Sequence, residues 1–193
     1  MKSISVTLLC LLLSSLTIQL DGGAASIEDT CKGAAAASPV INYDFCVSTF
    51  LGNPKSGSAD TRGLAKIAAL TAINHAANIK IEITDLLKKS PDPEIKSALN
   101  QCFRLYDSMS FTLANAADAI NAERDEAAKG FLKTGIQEAE DCAAAFEKAG
   151  KASPLTKGNR DSVELSTMSL AILDLIAKKP SDHDDMMIRA VLV

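Results

Sequence analysis

The sequence predicts an all-α protein: an up-down four-helix bundle preceded by an N-terminal helical hairpin and closed by two disulfides. Three observations predict it. Apolar residues recur at helical spacing through four long segments with short breaks between them. No stretch holds the period-two alternation of β-branched residues that a strand needs. Four of the five cysteines fall where helical hairpins would bring them together.

The N-terminus reads as a secretory leader over residues 1–25. Lys2 supplies positive charge, Val6 to Leu13 is apolar apart from Thr7, and Gly22-Gly23-Ala24-Ala25 offers small residues to a signal peptidase. The apolar run is short for a membrane span of about 20 residues. Cys10 belongs to this leader. The remaining chain, roughly 150 to 170 residues, suits one domain over 26–179 with a real core.

Residues 26–51 form a small unit with Ser38-Pro39 at its turn, and Gly52-Asn53-Pro54-Lys55-Ser56-Gly57-Ser58 separates it from the bundle at 60–179. The hairpin is too small to hold its own core. It should pack on the side of the bundle or on a second chain, giving a monomer or a dimer.

The first bundle helix begins at the N-cap Asp60, carries a stripe of Ile67, Leu70, Ile73, Ala77 and Ile81, and ends at Lys88-Lys89 before Ser90-Pro91. The second opens with Asp92 as cap, Pro93 in the first turn and Glu94 at the positive dipole end. Its stripe is Ile95, Leu99, Cys102, Tyr106, Met109, Leu113, Ala116 and Ile120. The third carries Ala128, Leu132, Gly135, Ala139, Cys142 and Phe146, with Gly150 as its stop. The fourth follows Lys157-Gly158-Asn159, carries Leu165, Met168, Ile172 and Leu175, and stops before Pro180. Residues 180–193 leave this pattern and read as a tail.

Helix geometry selects the cysteine pairing. Ala122, midway between Cys102 and Cys142, lies where the second bundle helix turns into the third. Each cysteine is 20 residues from that turn, about 30 Å along an α-helix. Both sit on apolar stripes, so they should meet. Ser38 and Pro39 stand midway between Cys31 and Cys46 in the same way. The expected bridges are Cys31–Cys46 and Cys102–Cys142.

The composition excludes several functions. The formal net charge is -4, with both signs interspersed and no basic block, which argues against a nucleic-acid partner. The chain has no Trp and 4% aromatic residues, too few for a stacking groove. No later segment suits a membrane. His75 sits beside Thr71, Asn74 and Asn78 and reads as a hydrogen-bonded helix residue. His183, in Asp182-His183-Asp184-Asp185, lies in the tail without preorganised metal geometry. No nucleophile–base pair, zinc spacing or phosphate loop is present, so neither catalysis nor a cofactor is expected.

Several ordered segments carry a resemblance. They are Thr30-Cys31-Lys32 with Asn42-Tyr43-Asp44-Phe45-Cys46-Val47; Asn53-Pro54-Lys55-Ser56 with Gly63-Leu64-Ala65; Leu99-Asn100-Gln101-Cys102 with Leu105-Tyr106-Asp107; and Glu140-Asp141-Cys142 with Ser153-Pro154-Leu155-Thr156-Lys157. Together the chain resembles the plant inhibitor family that blocks acid invertases and pectin methylesterases, its pollen members in particular. The resemblance implies the same two disulfides, a hairpin outside a four-helix bundle, and a protein partner, pectin methylesterase or acid invertase. It implies inhibition by covering the enzyme's cleft, in the apoplast, cell wall or vacuole. The invertase inhibitors of that family carry Pro-Lys-Phe upstream of the fourth cysteine; here Arg124-Asp125-Glu126-Ala127-Ala128 stands there.

The expected contact surface is an acidic-rimmed face of the second and third bundle helices. It includes Asp118, Glu123, Asp125, Glu126 and Lys129, which lie off the stripes or at the turn and are read as free to meet a partner. The reading from another class is a helical carrier, or a pollen structural protein, without inhibitory activity. The Ala and Gly positions in the stripes close gaps rather than open a chamber for an apolar cargo.

Overall fold

A computed structural model describes residues 25–178. Residues 1–24 of the leader predicted over 1–25, and the predicted tail at 180–193 with His183, lie outside the described residues. Within them the chain forms six α-helices, one 3-10 turn at Ser56–Ser58 and no strand. The helices are α1 (Ile27–Ala37), α2 (Tyr43–Leu51), α3 (Thr61–Lys89), α4 (Pro93–Asn121), α5 (Asp125–Lys148) and α6 (Thr156–Lys178). Helices α3 to α6 make an antiparallel ring in which α4 lies against α3 and α5, and α6 closes the ring against α3 and α5.

Local sequence sets the helix ends. Oδ1 of Asp60 accepts from the Gly63 amide at 2.6 Å, and Oδ1 of Asp92 accepts from Glu94 and Ile95 at 2.8 and 3.2 Å. Each carboxylate satisfies amides that the first turn leaves free. Gly150 takes φ +63°, the left-handed stop expected of a residue without Cβ. Cross-links then fix the register of α3 against α4. Lys80–Asp107 at 2.9 Å and Lys66–Asn121 at 2.7 Å both straddle Pro93 symmetrically, as antiparallel neighbours must.

The α4 stripe is buried from Leu99 to Ile120, with Ile95 half-buried at its start. The α5 stripe is buried along its full predicted length. Between them the Cys102–Cys142 bridge lies at 0% exposure with its Cα atoms 4.7 Å apart. The close approach depends on small residues: a Cβ on Gly135 would stand 2.9 Å from Leu113 Cδ2.

The predicted α3 stripe is corrected. Ile67 faces the core, but Leu70 and Ile81 are exposed at 41% and 63%, Ala77 is exposed and Ile73 only half-buried. The buried face runs Leu64, Ala65, Ala68, Ala72, Ala76, Ile79 and Ile83. Alanine lines it because α6 comes close: a Cβ on Gly158 would stand 2.3 Å from Ile79 Cδ1. At the same contact His75 Nε2 lies 3.0 Å from the Gly158 carbonyl, which makes His75 a strut between α3 and α6.

Helix α6 buries polar residues among its predicted apolar ones. Leu165, Met168 and Ile172 are in the core, and so are Asn159, Ser162, Glu164, Ser166 and Ser169. Most of these have partners, as buried polar groups require. Tyr106 donates its phenol to Asn159 Oδ1 at 2.8 Å and lies 3.0 Å from Ser162 Oγ. Burial pushes that phenol up to about 12, so it stays a donor. Ser169 donates to the Ala65 carbonyl on α3 at 2.9 Å.

The hairpin packs on the side of its own bundle, α1 against α6 and α2 against α3. Cys31–Cys46 joins α1 to α2 with Cα atoms 5.7 Å apart. Two contacts hold the unit down. A Cβ on Gly33 would stand 2.9 Å from Leu175 Cδ1, and the Asn42 amide donates to Glu164 Oε1 at 2.7 Å.

Two predictions follow from this packing. Replacing Cys102 and Cys142 by Ser removes a 40-residue closed loop, worth about 4 kcal/mol in chain entropy. Replacing Cys31 and Cys46 removes a 15-residue one, worth about 3 kcal/mol. Urea melts should show the larger loss for the first pair. The second prediction concerns pH. Burial raises the Glu138 and Glu164 carboxyls above their ordinary 4.5. Raised acids contribute stability that is full below 4.5 and is lost as pH rises through the folded values. The melting temperature should therefore be higher in mildly acidic buffer than at neutral pH, and Glu138→Gln with Glu164→Gln should flatten that difference in a pH series of thermal melts.

Candidate target-binding surface

The α4–α5 turn is short and tightly wired. The Ala122 amide donates to Asp118 O at 3.0 Å and the Arg124 amide to Ala119 O at 2.9 Å. Glu123 between them takes φ 56°, a left-handed conformation that costs a side-chain-bearing residue roughly 1–2 kcal/mol. The turn therefore presents Glu123 outward at the end of the bundle, where it is exposed.

Below the turn a network joins all four bundle helices. Arg62 of α3 grips Asp125 of α5 in a two-pronged pair, with Nη2 donating to Oδ2 at 3.1 Å, and its Nη1 also reaches the Ile120 carbonyl of α4 at 3.4 Å. Lys129 of α5 bridges Asp174 of α6 at 2.7 Å and Glu126 at 3.4 Å. The Arg62 guanidinium holds the Asp125 carboxyl below its ordinary value, while Asp174, followed by Glu126, raises the Lys129 ammonium.

The five predicted contact residues thus fall into two groups. Asp118, Glu123 and Glu126 are exposed. Asp125 and Lys129 are not free surface: their side chains are 27% and 15% exposed and engaged within the chain. Phe111 was missing from the predicted surface. It is 70% exposed on α4, seven residues before Asp118 and so on the same helix face two turns away. Its signal in the sequence is an aromatic residue lying off the Cys102–Tyr106–Met109–Leu113 stripe. Asp107, also exposed, lies one turn before Phe111 on that face.

This face exposes the carboxylates Asp107, Asp118 and Glu123 around Phe111. Among the described residues no group of His, Cys, Asp and Glu is placed to hold a metal ion, and no helix is long and apolar enough to cross a membrane. The centre of the bundle, where a carrier would need its chamber, is filled by Leu99, Tyr106, Leu132, Phe146 and Met168, each at 0% exposure.

The network makes a testable demand. Asp125→Asn should cost about 1 kcal/mol at neutral pH, the scale of a well-formed and partly exposed Arg–carboxylate pair. A lowered acid contributes stability present above its ordinary 3.8 and lost as pH falls through the folded value. The difference between the two proteins in chemical melts should therefore shrink and close as pH falls from 3.8 through the lowered folded value.

Comparison with known proteins agrees with this architecture. Residues 25–172 match the family described as plant invertase/pectin methylesterase inhibitor. A Platanus acerifolia protein named "Putative invertase inhibitor" is 36% identical over 171 residues, 87% of this chain and 96% of that one. Pectinesterase inhibitor 8 of Oryza sativa subsp. japonica is 33% identical over 156 residues, 80% of this chain and 85% of that one. The crystal structure of a mutant form of an Arabidopsis pectin methylesterase inhibitor has the same fold, with a TM-score of 0.64 at 18% identity over 78% of this chain and 97% of that one. With its hairpin, its bundle and its two bridges in place, this chain belongs to the plant invertase/pectin methylesterase inhibitor family, whose members block enzymes rather than act as enzymes.

Proposed function

We propose that this protein is secreted and inhibits a plant cell-wall carbohydrate enzyme by laying the outer face of α4 and the α4–α5 turn over its active-site cleft. The observation that carries the reading is Phe111, a 70% exposed aromatic on a helix whose other face is locked to α5 by a buried disulfide. A large aromatic held in water on a rigid helix is the kind of side chain that dominates protein interfaces. The bridge keeps the surface preorganised, so little conformational entropy is lost on binding. Asp118, Glu123 and Glu126 beside it supply a negative rim that would steer a basic cleft mouth.

Secretion is supported by the leader-like pattern of residues 1–25 and by two disulfides, which persist in oxidising compartments. The wall and the vacuole are the compartments that fit. The matched relatives carry both invertase and pectinesterase in their names. The stretch Arg124-Asp125-Glu126-Ala127-Ala128, standing where invertase inhibitors carry Pro-Lys-Phe, favours pectin methylesterase as the target. The Asp125 side chain there is turned inward to Arg62, so a partner would meet Glu123 and Glu126 instead.

The test is inhibition of pectin methylesterase and acid invertase, assayed side by side at mildly acidic pH with the oxidised protein in excess. Inhibition of the esterase is expected. Phe111→Ala should raise the inhibition constant about thirtyfold, as for an interface hot spot. The triple reversal of Asp118, Glu123 and Glu126 to Lys should slow association and change its salt dependence. Asp125 and Lys129 are left intact in that variant because they hold the fold. Full activity of both enzymes overturns the reading; inhibition untouched by Phe111→Ala and by the charge reversal moves the contact to another face.

A further inference from the structure

Of the asparagines in the chain, Asn100 alone has a hydroxyl or thiol side chain two residues on, in Asn100-Gln101-Cys102. An asparagine followed at that spacing by Ser or Thr is the acceptor for N-linked glycans in a secreted protein. The third residue contributes a short side chain that can hydrogen-bond. A thiol stands on the same Cβ as a Ser hydroxyl and is a weaker donor and acceptor of the same kind. A disulfide sulfur carries no proton, so Cys102 can serve only before it pairs.

The fold has room for the modification. Asn100 is exposed on the outer side of α4, and Lys96, Ser97, Gln101, Phe103 and Arg104 around it are exposed as well. Residues two apart on an α-helix stand on opposite sides, and Cys102 accordingly points inward, at 0% exposure and bonded to Cys142. In the finished protein the tripeptide is wound into α4 with its third side chain sealed. An enzyme that must engage both ends of the tripeptide can therefore do so only in the unfolded chain.

Chain order opens an interval for this. Cys31 and Cys46 are made first and have each other, 15 residues apart. Cys102 then waits for Cys142, made 40 residues later. At roughly 5–20 residues per second the wait is about 2–8 s. Disulfide formation itself takes seconds or longer. Asn100 thus enters the secretory compartment beside a free thiol.

We propose that Asn100 is an N-glycosylation site whose use is decided by a race between glycan transfer and closure of the Cys102–Cys142 bond. In the transfer, Asn100 Nδ2 forms a bond to the anomeric carbon of a lipid-pyrophosphate-linked oligosaccharide. The bond from that carbon to the pyrophosphate oxygen breaks, the lipid pyrophosphate leaves, and one amide proton passes to a base of the transferase. The site rests on the secretion proposed above and not on the contact surface of α4.

The test expresses the full chain in cultured mammalian secretory cells and reads occupancy on cell-associated and secreted protein together. Peptide N-glycosidase F in water carrying heavy oxygen converts each glycosylated asparagine to labelled aspartate, which peptide mass mapping locates. The native sequence should show a minor labelled fraction at Asn100. Cys142→Ser leaves Cys102 a thiol and should raise that fraction severalfold. Cys102→Ser with Cys142→Ser supplies a hydroxyl that no disulfide removes, and should bring occupancy close to complete. Cys102→Ala with Cys142→Ala should abolish it. None of these comparisons requires a variant to fold. No label at Asn100 in the native protein overturns the proposal. So does occupancy unmoved by Cys142→Ser, or label that persists in the double Ala variant. If the double Ser variant is unlabelled as well, the N-terminal peptide identifies which reading has failed: an uncut leader refutes secretion itself, and a cut one shows a secreted chain whose Asn100 the transferase does not use.

Discussion

The Cys102–Cys142 bond is the constraint on which the rest of the structure depends. It joins two helices at points equally far from their common turn, and so fixes their register. Once that register is set, Ala119, Ile120 and Ala122 must close within a few residues, and the chain does so by placing Glu123 in a left-handed conformation. Small residues make the bond geometrically available. Gly135 leaves room for Leu113, and Ala128 and Ala139 sit at 0% exposure on the same stripe. A bulkier α5 would hold the helices farther apart than the Cα separation of 4.7 Å that the bridge shows. The outer face of α4 inherits this rigidity.

Helix α6 supplies the opposite kind of order. It closes the ring with hydrogen bonds as much as with apolar contact. Asn159 and Ser162 meet Tyr106, Ser169 meets the α3 backbone, and Glu164 holds the amide of Asn42, the residue that caps the hairpin's second helix. Such contacts are directional, so they select one rotation of α6 about its axis where alanine packing alone would be permissive. They also tie folding to pH, because Glu164 is kept from water by the element it anchors. The hairpin is attached through a carboxyl group that burial makes reluctant to ionise. In an acidic compartment that group is nearer to its preferred state.

The sequence made some of this legible, and the limits have physical causes. The stripes of α4 and α5 could be read because large apolar residues and cysteines mark the buried face of both. The α3 stripe could not, because this helix buries its alanines and exposes Leu70 and Ile81. Periodicity weighs hydrophobicity, while close helix approach selects for size, and in α3 the two criteria point to different faces. The buried polar residues of α6 were not legible either: burial of Asn159 or Ser162 makes sense only once Tyr106, more than 50 residues away, is known to meet them. Asp125 and Lys129 looked like free surface charges because their partners, Arg62 and Asp174, are distant along the chain.

That misreading shows how the exposed end of the bundle is organised. Charges of one layer are used up in stitching the helices: Arg62, Asp125, Lys129 and Asp174 neutralise each other across α3, α5 and α6, and Arg62 also donates to a carbonyl of α4. The layer above them stays exposed, in Asp118, Glu123 and the 92% exposed Glu126, the last 3.4 Å from Lys129. A surface of exposed carboxylates would repel itself and loosen the turn that carries it unless something beneath were pinned. Here the pinning layer lies directly under the turn, with Arg62 reaching the Ile120 carbonyl two residues before Ala122. The strain at Glu123 and the solvent-exposed ring of Phe111 both lower stability locally. Both stand on α4 or on its turn into α5, held by a buried disulfide on one side and by the ion network below. Stability elsewhere in the fold thus offsets features that packing alone would not retain, and their concentration on one face is the physical basis for assigning that face to a partner.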